Sequence, residues 1–324
     1  MRRLGLTNPL VRRAVQLASH LGSGTIMMST TTSSASGSAA PWRNLFVEHL
    51  EGMKLPEFTL STVRCVPSSA SAGFGVTGGV GDRSVYVPRA RTCIFRGMWA
   101  SLPVNPKNEA ELNPEVYESD FPTFTTDVRM DKMAELWGAR VDDGKNEWQG
   151  TGGGGPVEAV WWAEGPKVQW RVRGRAYVLG PDVETSESGR ETREMLRAGM
   201  LKRKRQDDGK DGEWSFRREI TAHFGNLAPG MRGTFKNPPS GLPIELPFDD
   251  GLELGQKVDD LHDETARKNF RVVVIVPYEV DRTDLFGPVR GRRWLYRLTT
   301  GGRTEPEMPG GIMEGAWEKV ELWP

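Results

Sequence analysis

Cysteine is scarce in this chain: Cys65 and Cys93 are the only thiols among 324 residues. Two thiols supply neither a disulfide framework nor a four-ligand zinc site, so the sequence reads as one suited to a reducing compartment. Long apolar runs are missing too. The strongest, "FRVVVIV" at 270–276, is far shorter than the roughly 20 residues a membrane-crossing helix needs. Neither sign of charge is in excess, since 43 Lys and Arg face 43 Asp and Glu. No global field therefore draws the chain to nucleic acid or to a membrane surface. His20, His49, His223 and His262 stand far apart without ligand spacing, which gives no metal centre. There is no G-x-S-x-G elbow, and neither cysteine has the surroundings of a nucleophile. The expectation is a soluble intracellular protein with no membrane and no nucleic-acid partner, whose chemistry is neither metal-based nor nucleophilic hydrolysis.

Acid is missing locally as well. The first acidic residue is Glu48, and before it come Arg2, Arg3, Arg12, Arg13 and many hydroxyl residues. Within that stretch "PLVRRAVQLASHL" has the pattern of a short basic amphipathic helix. This is the composition of a mitochondrial transit peptide. An unaddressed tail, or a start at Met27 or Met28, accounts for it equally. Residues 1–40 are set apart from the fold, and the expected location is mitochondrial or cytoplasmic.

What is present is mostly strand. "WRNLFVEHLEGM" places Trp42, Leu45, Phe46, His49, Leu50 and Met53 at helical spacing, an opening amphipathic helix. "EFTLSTVRCV" (57–66) and "RARTCIFRGM" (89–98) follow as strands, separated by a Gly/Ser-rich insertion. In "VQWRVRGRAYVL" (168–179), Val168, Trp170, Val172, Gly174, Ala176 and Val178 form one face. Gln169, Arg171, Arg173, Arg175 and Tyr177 form the other, a period-two alternation of core against polar surface. "PVEAVWW", "FRVVVIVP", "RRWLYRL" and "AWEKVEL" are further strands, and helical signals occur at 129–137 and from about 185 to 201. The pattern predicts a mainly β fold over 41–324, an antiparallel barrel with helical additions and insertions near 66–84, 138–155 and 185–214.

Two motifs lose to plainer readings. "GTGGGG" (150–155) satisfies G-x-G-x-x-G, but it has no strand before it and no helix after it to hold a pyrophosphate, so it reads as a loop. "KRKR" (202–205) is offset by Asp207, Asp208, Asp211 and Glu213, and reads as a solvated insertion instead of a nucleic-acid patch.

Cations and hydroxyls on strands remain. Arg91 and Arg96 bracket the apolar run of "RTCIFRG". "FTTDVRMDK" (124–132) offers Thr125, Thr126, Arg129 and Lys132. Two hydroxyls followed by two cations suit a phosphate, with hydroxyls donating, Arg binding bidentately and Lys adding charge. A helix beginning near Arg129 would add its N-terminal dipole. A solvated helix start beside a strand-end Arg is the plainer alternative.

In order along the chain, "RTCIFRG", "FTTDVRMDK", "VQWRVRGRAYVL", "MRGTFKNPPSGLP", "FRVVVIVPYEVDRTDLFGPVRGRRWLY" and "AWEKVELWP" resemble the pyridoxamine 5′-phosphate oxidase-like FMN-binding split barrels, in a divergent fungal and bacterial branch. The resemblance implies an antiparallel split barrel, a homodimer with FMN in the groove between subunits, and a small-molecule substrate such as a phosphorylated B6 vitamer. It implies that Arg91, Arg129 and Lys132 hold the FMN phosphate, helped by Thr126 beside Thr125. Backbone groups around Thr92, Cys93 and Ile94 would meet the flavin ring, with Gln169 and Arg293 reaching it from later strands. Arg96 would face both flavin and substrate, and Arg232, Thr234 and Arg290 would be substrate ligands. The implied activity is hydride transfer from substrate to flavin N5, with O₂ or another acceptor reoxidising it. Carriers and sensors that bind flavin or haem without turnover are the alternative on the same fold. The chain departs from the family pattern at Met130, where a small hydroxyl residue is common, and in the spacing of Arg129 and Lys132. It departs again in "MRGTFKNPPSG", which replaces the substrate-phosphate helix.

Overall fold

The computed structural model describes residues 39–67, 84–138, 147–203, 213–286, 290–299 and 301–324. The expected targeting segment (its first 38 residues), nearly all of the Gly/Ser-rich insertion, and Lys204 and Arg205 of "KRKR" lie outside the described residues.

Helix α1 (Arg43–Glu51) forms where the spacing predicts, and it buries Trp42, Phe46 and Leu50. Its His49 Nδ1 accepts from Trp170 Nε1 at 3.1 Å, tying the helix to the sheet. The strands β1 (Glu57–Pro67), β2 (Ser84–Ile94), β4 (Thr123–Asp127), β5 (Gly152–Ala163), β6 (Val168–Leu179), β8 (Phe270–Asp284), β9 (Arg292–Leu298), β10 (Ile312–Glu314) and β11 (Trp317–Leu322) make one antiparallel sheet. Its order is β10-β11-β9-β8-β6-β5-β1-β2, with β4 paired to β8. A two-residue ladder joins β3 (Tyr117–Glu118) to β7 (Leu201–Lys202). The mainly β, antiparallel expectation holds. The sheet is open, with β2 and β10 at its ends.

Strand β8 organises the molecule. One edge pairs with β6 along almost its whole length, while the other is shared, Phe270–Val274 with β4 and Glu279–Asp284 with β9. Its two faces go to different cores. Val273 and Ile275 join the cluster built around Phe46, Phe58, Trp161 and Trp170. Phe270, Val272 and Val274 join the cluster of Trp99, Phe216, Phe224 and Phe235. A strand buried on both faces needs no polar alternation, which is why "FRVVVIV" is continuously apolar.

Strand β6 keeps the predicted faces: Val168, Trp170, Val172, Gly174, Ala176 and Val178 are buried, and the intervening residues are half-buried or exposed. A bulge at Arg173/Gly174 skips Tyr278 in β8 and accommodates Pro277. A Cβ on Gly174 would sit 2.5 Å from the Val276 carbonyl oxygen, so only glycine fits this approach.

Several expectations change. Strand β5 begins at Gly152, inside the glycine run expected to be a loop. Those glycines let helix α2 (Lys132–Trp137) lie against the strand, since a Cβ on Gly155 would fall 2.6 Å from the carbonyl oxygens of Glu135 and Leu136. Helix α2 spans six residues and starts at Lys132, not near Arg129, so its dipole adds little. Strand β2 starts at Ser84, which puts Arg91 in its interior and Arg96 beyond its exit. The helical signal from about 185 to 201 is helix α3 (Glu187–Ala198), whose Leu196 is fully buried in the second core. Three helices went unpredicted: α4 (Phe216–Gly225), α5 (Pro229–Gly233) and α6 (Glu264–Asn269). They cover the second core.

Candidate cofactor site

Just past the end of β2, the backbone crosses to β4. Arg96 N–H donates to the Thr123 carbonyl at 2.8 Å, and Thr123 N–H and Oγ1 return bonds to the Gly97 carbonyl at 2.9 and 2.7 Å. This crossing brings the two sequence motifs to one cavity of about 490 Å³, a size suited to a small-molecule site. Thr92, Cys93, Ile94 and Arg96 line one side; Thr125, Thr126, Arg129 and Lys132 line another. Thr234 joins them from the proline-rich region. Because β2 ends the sheet, the backbone groups on its outer edge have no strand partner among the described residues.

The cations differ in how they are used. Arg129 is consumed by the protein: its Nε and one terminal nitrogen reach Asp127 at 2.9 and 2.6 Å. Its other contacts are the carbonyls of Asn237 at 2.8 Å and Phe235 at 3.3 Å. It pins the 235–237 segment against the β4 turn and so builds a cavity wall. Lys132 has no carboxylate within ion-pair distance among the described residues. Its Nζ donates to Thr126 Oγ1 at 3.1 Å and lies 2.7 Å from Met130 Sδ. Burial pushes the Lys132 pKa down, and the nearby Arg91 charge adds to this, against the raising effects of Cys93, Asp127 and Glu135. Arg96 has no ion-pair partner among the described residues; its Nε is buried and unbonded, and burial lowers its pKa. Burial likewise raises the Cys93 pKa, opposed by Lys132 and Arg91.

Other predicted residues are not brought to the cavity. Arg91 donates to Glu135 and Thr62, and Thr62 Oγ1 donates to the same Glu135 oxygen at 2.5 Å. Glu135 has a fully buried side chain, so this cluster rivets β1 and β2 to α2. Gln169 lies near the start of β6, between Trp162 and Thr283. Arg293 forks onto Asp281 at 2.7–3.2 Å. Arg290 reaches Glu321 at 3.5 Å and sits 5.1 Å over the Trp323 ring. Arg232 is buried against the Phe224 ring at 5.9 Å.

Sequence reading missed Glu135 and the wall residues Leu227, Met231, Phe235, Asn237 and Pro238. It also missed His223, on the buried face of α4. The signal was there, with Ser215 as N-cap and Phe216, Ile220 and Phe224 four residues apart.

An antiparallel sheet whose edge strand and neighbouring turn share a cavity with cations that have no ion-pair partner among the described residues suits an anionic cofactor. Residues 39–180 match the family model of the pyridoxamine 5′-phosphate oxidase FMN-binding domain. The cofactor of that domain is FMN. Among solved structures, a pyridoxamine 5′-phosphate oxidase-related, FMN-binding protein of Nostoc punctiforme shares 17% identity over 89% of this chain and 100% of its own, with a TM-score of 0.46. PhzG from Burkholderia lata, in complex with tetrahydrophenazine-1-carboxylic acid, shares 12% identity over 86% of both chains, with a TM-score of 0.35. No curated protein matches the chain. The cavity's chemistry fits FMN: a half-buried lysine with no ion-paired carboxylate among the described residues, beside two threonines, suits a phosphate, and a strand edge with no described strand partner suits a polar ring edge.

Proposed function

We propose that the protein is an FMN-dependent oxidoreductase acting on a small molecule, with FMN in the cavity between the β2 exit and the β4 turn. The observation that carries this is Lys132, a half-buried cation with hydroxyl and thioether neighbours but no carboxylate within ion-pair distance among the described residues. Bound FMN would supply two-electron chemistry at its N5, with O₂ or another acceptor taking the electrons. The residues supply the rest. Lys132 and Thr126 hold the phosphate, with Thr125 beside them. Backbone groups at Cys93 and Ile94 orient the ring edge, and Arg96 places positive charge near it. Arg129 acts by fixing the wall, and Arg91 by fixing β2.

A homodimer is part of the same proposal. Leu242, Ile244, Leu246, Phe248 and Leu254 are exposed by 48–91%, and Leu254 also lines the cavity, so a second copy would cover apolar surface at its mouth. Gln169 and Arg293 would then lie within reach of a neighbour's cofactor.

The test is the visible absorbance spectrum of the purified full-length protein, with mass identification of whatever heat releases. Flavin bands with FMN released, and bleaching under anaerobic pyridoxamine 5′-phosphate, are the expected results. A flavin that no reductant substrate bleaches makes the protein a carrier. A colourless protein that takes up no added FMN removes the reading.

A further inference from the structure

Arg96 stands in the wall of two cavities. Beyond the cofactor cavity, a second of about 320 Å³ is lined by Arg96, Leu50, Phe95, Leu102, Leu227 and His223. Gly97 shapes it, with φ at +97° and a would-be Cβ 2.3 Å from Pro103 Cδ, so the chain bends sharply just where Arg96 leaves the sheet. Asn226 closes one wall: its amide donates to the Pro103 carbonyl at 2.8 Å and accepts from Asn105 N–H at 2.7 Å and Asn108 Nδ2 at 3.0 Å. Glu51 is exposed at the mouth.

His223 is the unexplained member. It is 1% exposed, and neither ring nitrogen has a hydrogen-bond partner among the described residues. The ring stacks on Trp99 at 5.9 Å and 12°. Burial, then the Arg96 charge, pushes its pKa down to about 3, so the ring is neutral and offers one donor and one acceptor. Buried polar groups in proteins are nearly always bonded. Here the imidazole and the Arg96 Nε both lack partners among the described residues, and both residues border the same cavity, whose other lining is mainly apolar apart from Glu51 and Asn226.

We propose that this second cavity is the substrate subsite and takes a small, mainly apolar molecule carrying one carboxylate or phosphate, the anion meeting Arg96 and a polar atom of the ligand meeting His223. The inference rests on the FMN reading, because Arg96 and Leu227 line both this cavity and the cofactor cavity, and Arg96 is the charged residue they share. It assigns part of the polar recognition to α4, through His223.

The test uses FMN-loaded full-length protein titrated calorimetrically with benzoate, phenyl phosphate and benzyl alcohol. Saturable binding of at least one anion, at least tenfold tighter than the neutral alcohol, is expected, and which anion wins identifies the group. In His223→Leu the anion should bind at least tenfold more weakly, while FMN affinity stays within about twofold and His223→Gln recovers part of the loss. Leu102→Trp, which fills the cavity from its opposite wall, should abolish anion binding with FMN retained, so the outcome does not hang on how well His223→Leu folds. No anion binding to the FMN-loaded protein, or equal binding by the wild type and Leu102→Trp, overturns the subsite. Failure of the wild type to hold FMN overturns the cofactor reading instead, and the anion titration is then read on the apoprotein.

Discussion

Arginine and lysine do unlike work around the cofactor cavity. Arg129 forks onto Asp127, and Arg91 bonds Glu135 and Thr62, so both stabilise the walls; Lys132 has no ion-paired carboxylate among the described residues. In the proposed site the protonated Lys132 would be the binding form, and its pKa is depressed below the ordinary 10.5 by burial. FMN affinity should therefore fall as pH rises through that depressed value, earlier than for a solvated lysine. Fluorescence titration between pH 7 and 10 reads this. Lys132→Met should weaken FMN by roughly 10- to 100-fold, the worth of one charge-assisted bond, and remove the alkaline slope. Arg91→Met should show the reverse balance. Breaking a buried pair costs about 3–5 kcal/mol, and with the Arg91 side chain 21% exposed about 2–3 kcal/mol of stability is expected, with the smaller effect on FMN. Denaturant melts of the two variants side by side check this.

Among the elements, the glycine run at 152–155 and the bulge at Gly174 decide how closely strands and helix approach. Gly155→Ala forces a Cβ against two backbone carbonyls of α2 and should cost about 1–3 kcal/mol. Gly165→Ala, with nothing within 4 Å, should stay within about 0.5 kcal/mol. Thermal melts of both variants separate steric approach from a general glycine effect. These examples also show what one sequence reveals. The faces of β6 were legible because alternation is local, and so was α1, whose Phe46 and Leu50 lie one turn apart. The start of β5 was not, because its glycines are required by a helix end some 20 residues earlier. The site divides the same way. The motifs around Cys93 and Thr126 could be read as one site, but not that Arg91 is taken by Glu135, since that depends on three elements meeting.

In the molecule as a whole, two cores lean on a single strand. Trp161 and Trp170 report on one and Trp99 and Trp214 on the other, yet both need β8. Val273→Ala and Val272→Ala cut into opposite faces of it. Each should cost about 2 kcal/mol, and each should shift one shared transition without splitting it. Coincident far-UV and near-UV melts would bear that out; two separated transitions would mean the cores unfold independently.

A strand that must satisfy two interiors has no side on which to experiment. Every residue from Val272 to Ile275 is fully buried, so a change there is judged twice, once by each neighbourhood. By contrast the segment 240–250, exposed throughout and bordering the cofactor cavity at Ser240, is judged hardly at all by folding. In a library selected only for folded protein, substitutions should collect in that outer strap and spare the shared strand. The chain can then alter what stands at the mouth of its site while leaving untouched the framework that holds the site in place.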